Sequence, residues 1–228
     1  MNWIYYIIVG VVSYFVGNFS SARFVAKLKH DDITKHGSGN PGTLNTWRAF
    51  GFWAGILTFI LDMLKGLIPT LVAYLSFKHV AGCSQEIAVY VAGFSVVIGH
   101  IFPVLFAFKG GKGIATSIGV FLIANWWVAL IVFVVMIVGM LFIKYASIFT
   151  IGFVVAMSIV EICLCNPINW VNYILISGIL LLVLYAHRAN IVRLIKGKEN
   201  KTELLAMLKG LAHKKETKQN KEKDIEIN

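Results

Sequence analysis

Apolar runs long enough to cross a lipid bilayer recur along this chain almost from end to end. They fall at about 3–24, 51–76, 86–107, 113–124, 126–143, 147–165 and 169–187. About 20 residues at 1.5 Å rise cross a ~30 Å hydrocarbon core. Hydrocarbon offers the backbone no hydrogen-bond partners, so spans of this kind must be helices. The expected fold is all-α: a polytopic membrane protein of about seven transmembrane helices, the fourth short. That fourth stretch holds Gly113, Ala115, Thr116, Ser117 and Gly119. Taken alone, it reads as a crossing or as a re-entrant helix. Charge agrees with the membrane reading, since 14% of residues are charged against about 25% in soluble domains.

Loop charges set the orientation. Lys27, Lys29, Lys35 and Arg48, the Lys109–Lys112 turn and the C-terminal tail belong on the cytoplasmic side by the positive-inside rule. The loops near 78–86 and 165–168 are nearly uncharged and suit the outside. Seven crossings with the N-terminus outside satisfy every loop, and they bring Trp3, Trp126, Trp127 and Trp170 to outer ends as an aromatic belt. Met1-Asn2-Trp3 lacks the basic region of a cleavable signal, so the first segment is expected to be retained. Residues 1–200 form the membrane domain, and 201–228 a charged cytoplasmic tail. Within that tail, Thr202–Leu211 suits a short surface helix and His213–Asn228 reads as solvated disorder. Of the 21 Lys and Arg, 11 lie from Arg188 onward beside the membrane. The net charge of +10 therefore points to lipid and topology, and nucleic acid is not expected as a partner. Cys83, Cys163 and Cys165 show no metal-ligand spacing, and no metal or cofactor is expected.

Three polar clusters face the cytoplasm in this topology. The first runs from Gly37 to Arg48. Its G-x-G-x-x-G match at Gly37, Gly39 and Gly42 lacks the preceding strand that a dinucleotide fingerprint requires. Its glycines, side-chain donors and Arg suit an anion, or form an ordinary turn before a helix. The second, Lys109-Gly110-Gly111-Lys112-Gly113-Ile114-Ala115-Thr116, is no Walker A loop, because Gly113 stands where Ser or Thr is needed. It is a glycine turn opening a helix whose N-terminus attracts phosphate, or a flexible loop with topogenic lysines. The third holds His187, Arg188, Asn190 and Arg193, then Gly197 and Glu199. It is either a site or a basic stop-transfer stretch. Asp62 and Lys65, three apart within a span, are expected to pair or to stabilise the bundle. Glu161 is expected to reach water, Arg23 to snorkel, and His100 either to hydrogen-bond the second loop or to pack in the core.

These residues resemble the acyl-phosphate-dependent glycerol-3-phosphate acyltransferase family (PlsY). The resemblance rests on Tyr14-x-x-Gly17, Ser38-Gly39-Asn40-Pro41-Gly42-x-x-Asn45-x-x-Arg48 and Leu61-Asp62-x-x-Lys65-Gly66. It continues through Gly99-His100-x-Phe102-Pro103 into Lys109-Gly110-Gly111-Lys112-Gly113-x-Ala115-Thr116. Tyr145-x-Ser147 and His187-Arg188-x-Asn190-Ile191-x-Arg193-Leu194 complete it. The resemblance implies transfer of an acyl group from acyl phosphate to the 1-position of glycerol 3-phosphate, in a bacterial plasma membrane. It implies catalytic roles for Ser38, Arg48, Lys112, His187 and Asn190. It implies substrate contacts from Gly39, Asn40, Thr43, Asn45, Gly110, Gly111, Gly113, Thr116 and Ser147. The chain departs from the family where Thr43-Leu44 stands for Ala-Thr, and where Asn18-Phe19-Ser20 and then Arg23 follow Gly17. The competing reading is a non-catalytic paralogue serving as a phosphate-ester carrier or lipid-binding membrane protein.

Overall fold

The computed structural model describes residues 2–164 and 169–202. The expected tail helix and disordered end therefore lie outside the described residues, as does the loop at 165–168. The described chain is helical throughout and contains no strand. In order, the helices are α1 (Trp3–Gly17), α2 (Ser21–Leu28), α3 (Thr43–Phe50), α4 (Phe52–Phe77) and α5 (Gln85–Ile101). They continue with α6 (Ile114–Ala124), α7 (Trp126–Phe142), α8 (Ala146–Leu164), α9 (Trp170–Ala186) and α10 (Arg188–Ile195). Six of the seven apolar stretches each contain one α-helix, and the first contains α1 and the start of α2. Four spans are long and apolar enough to cross a membrane, or five if α9 and α10, bent by 61°, are taken as one span. The helices α6 and α7 are apolar but shorter. With 11 residues, α6 rises only about 16 Å at 1.5 Å per residue, well short of a ~30 Å hydrocarbon core.

Two boundaries differ from the apolar runs for local reasons. The first run breaks after Gly17 and resumes as α2 at Ser21. The third ends at Ile101 because Phe102 precedes Pro103, and the proline ring drives the residue before it out of the α region; Phe102 has φ −122° and ψ 63°. Helix contacts are set by missing side chains. A Cβ on Gly17 would lie 2.3 Å from the Val96 carbonyl oxygen, and one on Gly99 2.1 Å from that of Tyr14, so α1 and α5 touch backbone to backbone. Gly66 against Thr116 and Gly119 against Met63 bring α4 and α6 equally close. Small-residue contacts of this type drive helix association in lipid, where dispersion replaces the hydrophobic effect.

The core between α5, α6, α8 and α9 is filled by Val96, Ile118, Phe121, Phe153, Met157 and Ile179, all buried. The outward faces carry exposed Ile7, Val11, Val72, Val135, Ile174 and Leu181. In water such a surface would aggregate; in lipid it is solvated. Trp3, Trp126, Trp127 and Trp170 are all exposed at the first turns of α1, α7 and α9. Asp62 and Lys65 do pair, at 2.8 Å, with both side chains buried. Glu161 does not reach water: it is buried, and Tyr90 on α5 donates its hydroxyl proton to the carboxyl at 2.6 Å.

Candidate active site

The first cluster becomes a turn and the short helix α3. Gly37 and Gly39 take left-handed φ values of 52° and 69°, and Gly42 caps α3. Asn45 holds the turn together. Its amide nitrogen donates to the His36 carbonyl at 2.9 Å, and its oxygen accepts from the Ser38 amide at 3.2 Å. A buried amide so engaged positions the turn in place of reaching outward. Ser38 and Thr43 then face the cavity described below, as does Arg48 one turn along α3. Arg48 donates to Thr202 Oγ1 at 2.8 Å.

The second cluster is a tight turn laid on the end of α5. The Gly110 amide donates to the Ile101 carbonyl at 3.1 Å and the Gly111 amide to the His100 carbonyl at 3.1 Å. Both amides are therefore engaged within the protein and do not cradle an anion. Glycine is needed here for space: a Cβ on Gly110 would lie 2.0 Å from the His100 oxygen. Gly113 has φ 85° and caps α6, so Lys112 stands at the mouth of a helix N-terminus, where the dipole favours negative charge. Arg23 reaches toward the same loop. It donates to the Lys109 carbonyl at 2.7 Å and stacks over Phe106, tying α2 to this turn.

The third cluster folds back on the other two. Lys112 Nζ donates to Asn190 Oδ1. The Asn190 amide donates to Ser147 Oγ at 3.2 Å and to Glu199 Oε1 at 2.6 Å. Ser147 donates to the same Glu199 oxygen, and Arg193 Nε to the other at 2.8 Å. His187 sits at the α9–α10 bend, buried, with Nδ1 2.9 Å from the Val183 carbonyl. A carbonyl only accepts, so the proton lies on Nδ1 and Nε2 keeps its lone pair.

These residues surround a cavity of about 310 Å³. Its polar end holds Ser38, Asn40, Thr43, Asn45, Arg48, Lys112, Gly113, Ser147, His187 and Asn190. Its apolar end runs between Ile56, Phe59, Ile118, Phe133, Met136 and Met140. Of the residues expected at the site, Gly39, Gly110, Gly111 and Thr116 do not line it. Gly39 packs on the Thr34 carbonyl, and Thr116 is buried where α6 meets α4.

The glycerol-3-phosphate acyltransferase family profile matches residues 7–197. The chain belongs to that family. A glycerol-3-phosphate acyltransferase of Finegoldia magna is 40% identical over 204 residues, covering 88% of this chain and 98% of the relative. One of Aquifex aeolicus is 37% identical over 191 residues, covering 84% and 96%. The fold is similar to a crystal structure of PlsY, an integral membrane glycerol 3-phosphate acyltransferase, in its glycerol 3-phosphate form. The TM-score is 0.79 at 35% identity, over 89% of this chain and 98% of that one. Its lysophosphatidic acid form matches with a TM-score of 0.78 at 34% identity. The chain is accordingly a multi-pass membrane protein.

Seven polar cavity residues were not among the expected site residues: Asp62, His100, Thr150, Arg193, Glu199, Asn200 and Thr202. Glu199 matters most for charge. Burial works against its ionisation, yet hydrogen bonds from Ser147, Asn190 and Arg193 hold its carboxyl below the usual carboxylate range. Asp62 is already paired with Lys65, so Arg48, Lys112 and Arg193 face Glu199 as the one other carboxylate of the lining, which leaves the polar end cationic. Burial pushes the Lys112 ammonium down to about 8; Glu199 opposes this, and Arg193 and Arg48 add to it.

Proposed function

We propose that this chain moves a fatty acyl group from acyl phosphate to the 1-hydroxyl of glycerol 3-phosphate, releasing lysophosphatidic acid and phosphate. The observation that carries the reading is the two-ended cavity, cationic where three polar clusters meet and apolar where it runs between α4, α6 and α7. A phosphate ester joined to a fatty chain has that same division. The named activity of the relatives supports the acceptor; the donor is the one the sequence resemblance implies, and a lining both cationic and apolar suits it. Phosphate is a good leaving group, so the hydroxyl oxygen attacks the acyl carbon directly and the carbon–oxygen bond to phosphate breaks. The hydroxyl proton leaves on a phosphate oxygen. The chain then has to align two anionic substrates and neutralise the charge that develops, which positioning and preorganised donors supply. In this reading Arg48 and Lys112 grip phosphate, Ser38, His187 and Asn190 orient the attacking hydroxyl, and Ser147 holds the acyl phosphate. The purified protein should form lysophosphatidic acid from palmitoyl phosphate. Equal turnover of palmitoyl-CoA would contradict the donor assignment.

The pH dependence follows from Lys112. It holds phosphate only when charged, and kcat/KM reports the free enzyme. With a Lys112 pKa of about 8, kcat/KM should fall about fivefold between pH 8 and pH 9 as the ammonium titrates. Removing the opposing charge by Glu199→Gln lowers the Lys112 pKa and should move this limb to lower pH, and Lys112→Arg should abolish it. A wild-type profile flat to pH 9 would exclude Lys112 as the phosphate cation.

The bacterial relatives and the loop charges support a place in a bacterial plasma membrane, with seven crossings, the N-terminus outside and the site at the cytoplasmic face. In a cysteine-free background, a cysteine at exposed His79 should react with an impermeant thiol reagent on intact cells, and one at exposed Lys35 only after lysis. The reverse pattern would invert the topology.

A further inference from the structure

Beneath the 109–113 turn the bundle buries four polar side chains that take no part in the proposed reaction: Ser21, Asp62, Lys65 and His100. Asp62 Oδ1 accepts from Ser21 Oγ at 2.7 Å and pairs with Lys65 Nζ at 2.8 Å. Lys65 also donates to the Phe19 carbonyl at 2.7 Å. Charge and hydrogen bonding are therefore balanced between these three. His100 is the fourth member, and its imidazole is not satisfied. Its Nδ1 lies 3.6 Å from Asp62 Oδ1, too far for a hydrogen bond, and has no other partner although the ring is 7% exposed.

The far side of the ring meets the turn. A Cβ on Gly111 would lie 2.3 Å from His100 Nε2 and 2.8 Å from Cε1, so the imidazole is packed directly on Gly111. The His100 carbonyl also accepts from the Gly111 amide at 3.1 Å. His100 thus contacts Gly111 through both main chain and side chain, and the next residue is Lys112. An unsatisfied buried nitrogen costs about 1–3 kcal/mol, so packing alone would favour a hydrocarbon side chain at this position. Asp62 and His100 both border the cavity as well.

We propose that His100 is a positioning residue, its imidazole lying between Asp62, 3.6 Å from Nδ1, and Gly111, and setting where the Gly110–Gly111 turn holds the Lys112 ammonium. The inference rests on the reading of Lys112 as a phosphate-binding cation. In acyl transfer His100 acts on the phosphate-bearing substrate through Lys112 and touches no reacting atom.

The test compares His100→Phe with His100→Asn in the full-length protein in lipid. Phenylalanine keeps the ring against Gly111 and loses the nitrogen that faces Asp62. Asparagine keeps a donor near the Nδ1 position and loses the ring. If His100 positions the turn, His100→Phe should raise KM for glycerol 3-phosphate about tenfold, the scale of a small displacement of a binding group, with kcat little changed. His100→Asn should lie closer to wild type. The rate of reductive methylation of Lys112 should rank the three proteins in the same order, a readout that holds whether or not the chain acylates glycerol 3-phosphate. A packing role reverses the order, leaving Phe near wild type and Asn impaired, and that result overturns the proposal. Equal effects in both variants, or wild-type KM and methylation in both, overturn it too. Should wild type form no lysophosphatidic acid, the acyltransferase reading fails, and the methylation order still decides the role of His100.

Discussion

Arg48→Lys is expected to lower kcat/KM on the order of 10²- to 10³-fold, a loss of ~3–4 kcal/mol in transition-state stabilisation for a donor of this kind. Charge is conserved, so the loss isolates geometry. Arg48 presents a planar fork from α3 into the cationic end of the cavity, where it donates to Thr202 at 2.8 Å. A guanidinium can hold one phosphate through two parallel bonds; an ammonium is a point charge on a shorter reach. The Arg48 side chain is exposed, and the lysine keeps a donor toward Thr202, so thermal stability should stay close to wild type. A lysine variant with near-normal kcat/KM would remove the bidentate role.

Gly110→Ala is the second large effect, for a steric reason. The added Cβ would lie 2.0 Å from the His100 carbonyl oxygen and 2.6 Å from that of Ile101. Those oxygens are the acceptors that hold the turn, and as helix backbone they cannot move aside as a flexible side chain can. The turn must lift, breaking the bonds from Gly110 and Gly111 and displacing Lys112. A shift of about 1 Å in a positioning group costs on the order of 10²-fold in rate, and a loss of that size is expected with the helices intact. Gly152→Ala is the control, because a Cβ there meets nothing within 4 Å; its activity should match wild type. If Gly110→Ala were equally silent, the turn would not be the support of Lys112.

Hydropathy made most of the helices legible in the sequence, because lipid demands long apolar stretches and a proline, a polar turn or a basic loop interrupts them. The polar clusters were legible for the related reason that charge is conspicuous in such a chain. Their internal division of labour was not. Gly110 and Gly111 have the composition of an anion cradle, yet their amides serve Ile101 and His100, and the need for glycine is spatial. Asn45 lines the cavity, and the sequence did not show that it also holds the turn through the Ser38 amide and the His36 carbonyl. Glu161 lay near a helix end where water seemed within reach, but its partner Tyr90 stands 71 positions away. Glu199 and Thr202 join the site only because the chain bends at His187 and returns over Ser147 and Arg48. Pairings at such separation leave no local periodicity to read.

A cationic pocket opening into an apolar slot should perform acyl transfer. The measurement is product analysis with the purified protein reconstituted in liposomes, supplied with palmitoyl phosphate and labelled glycerol 3-phosphate. Lysophosphatidic acid and inorganic phosphate should appear in equal amounts and disappear together in Arg48→Lys. Uptake of the label into the liposomes, with palmitoyl phosphate unconsumed, would contradict the claim and make the chain a carrier.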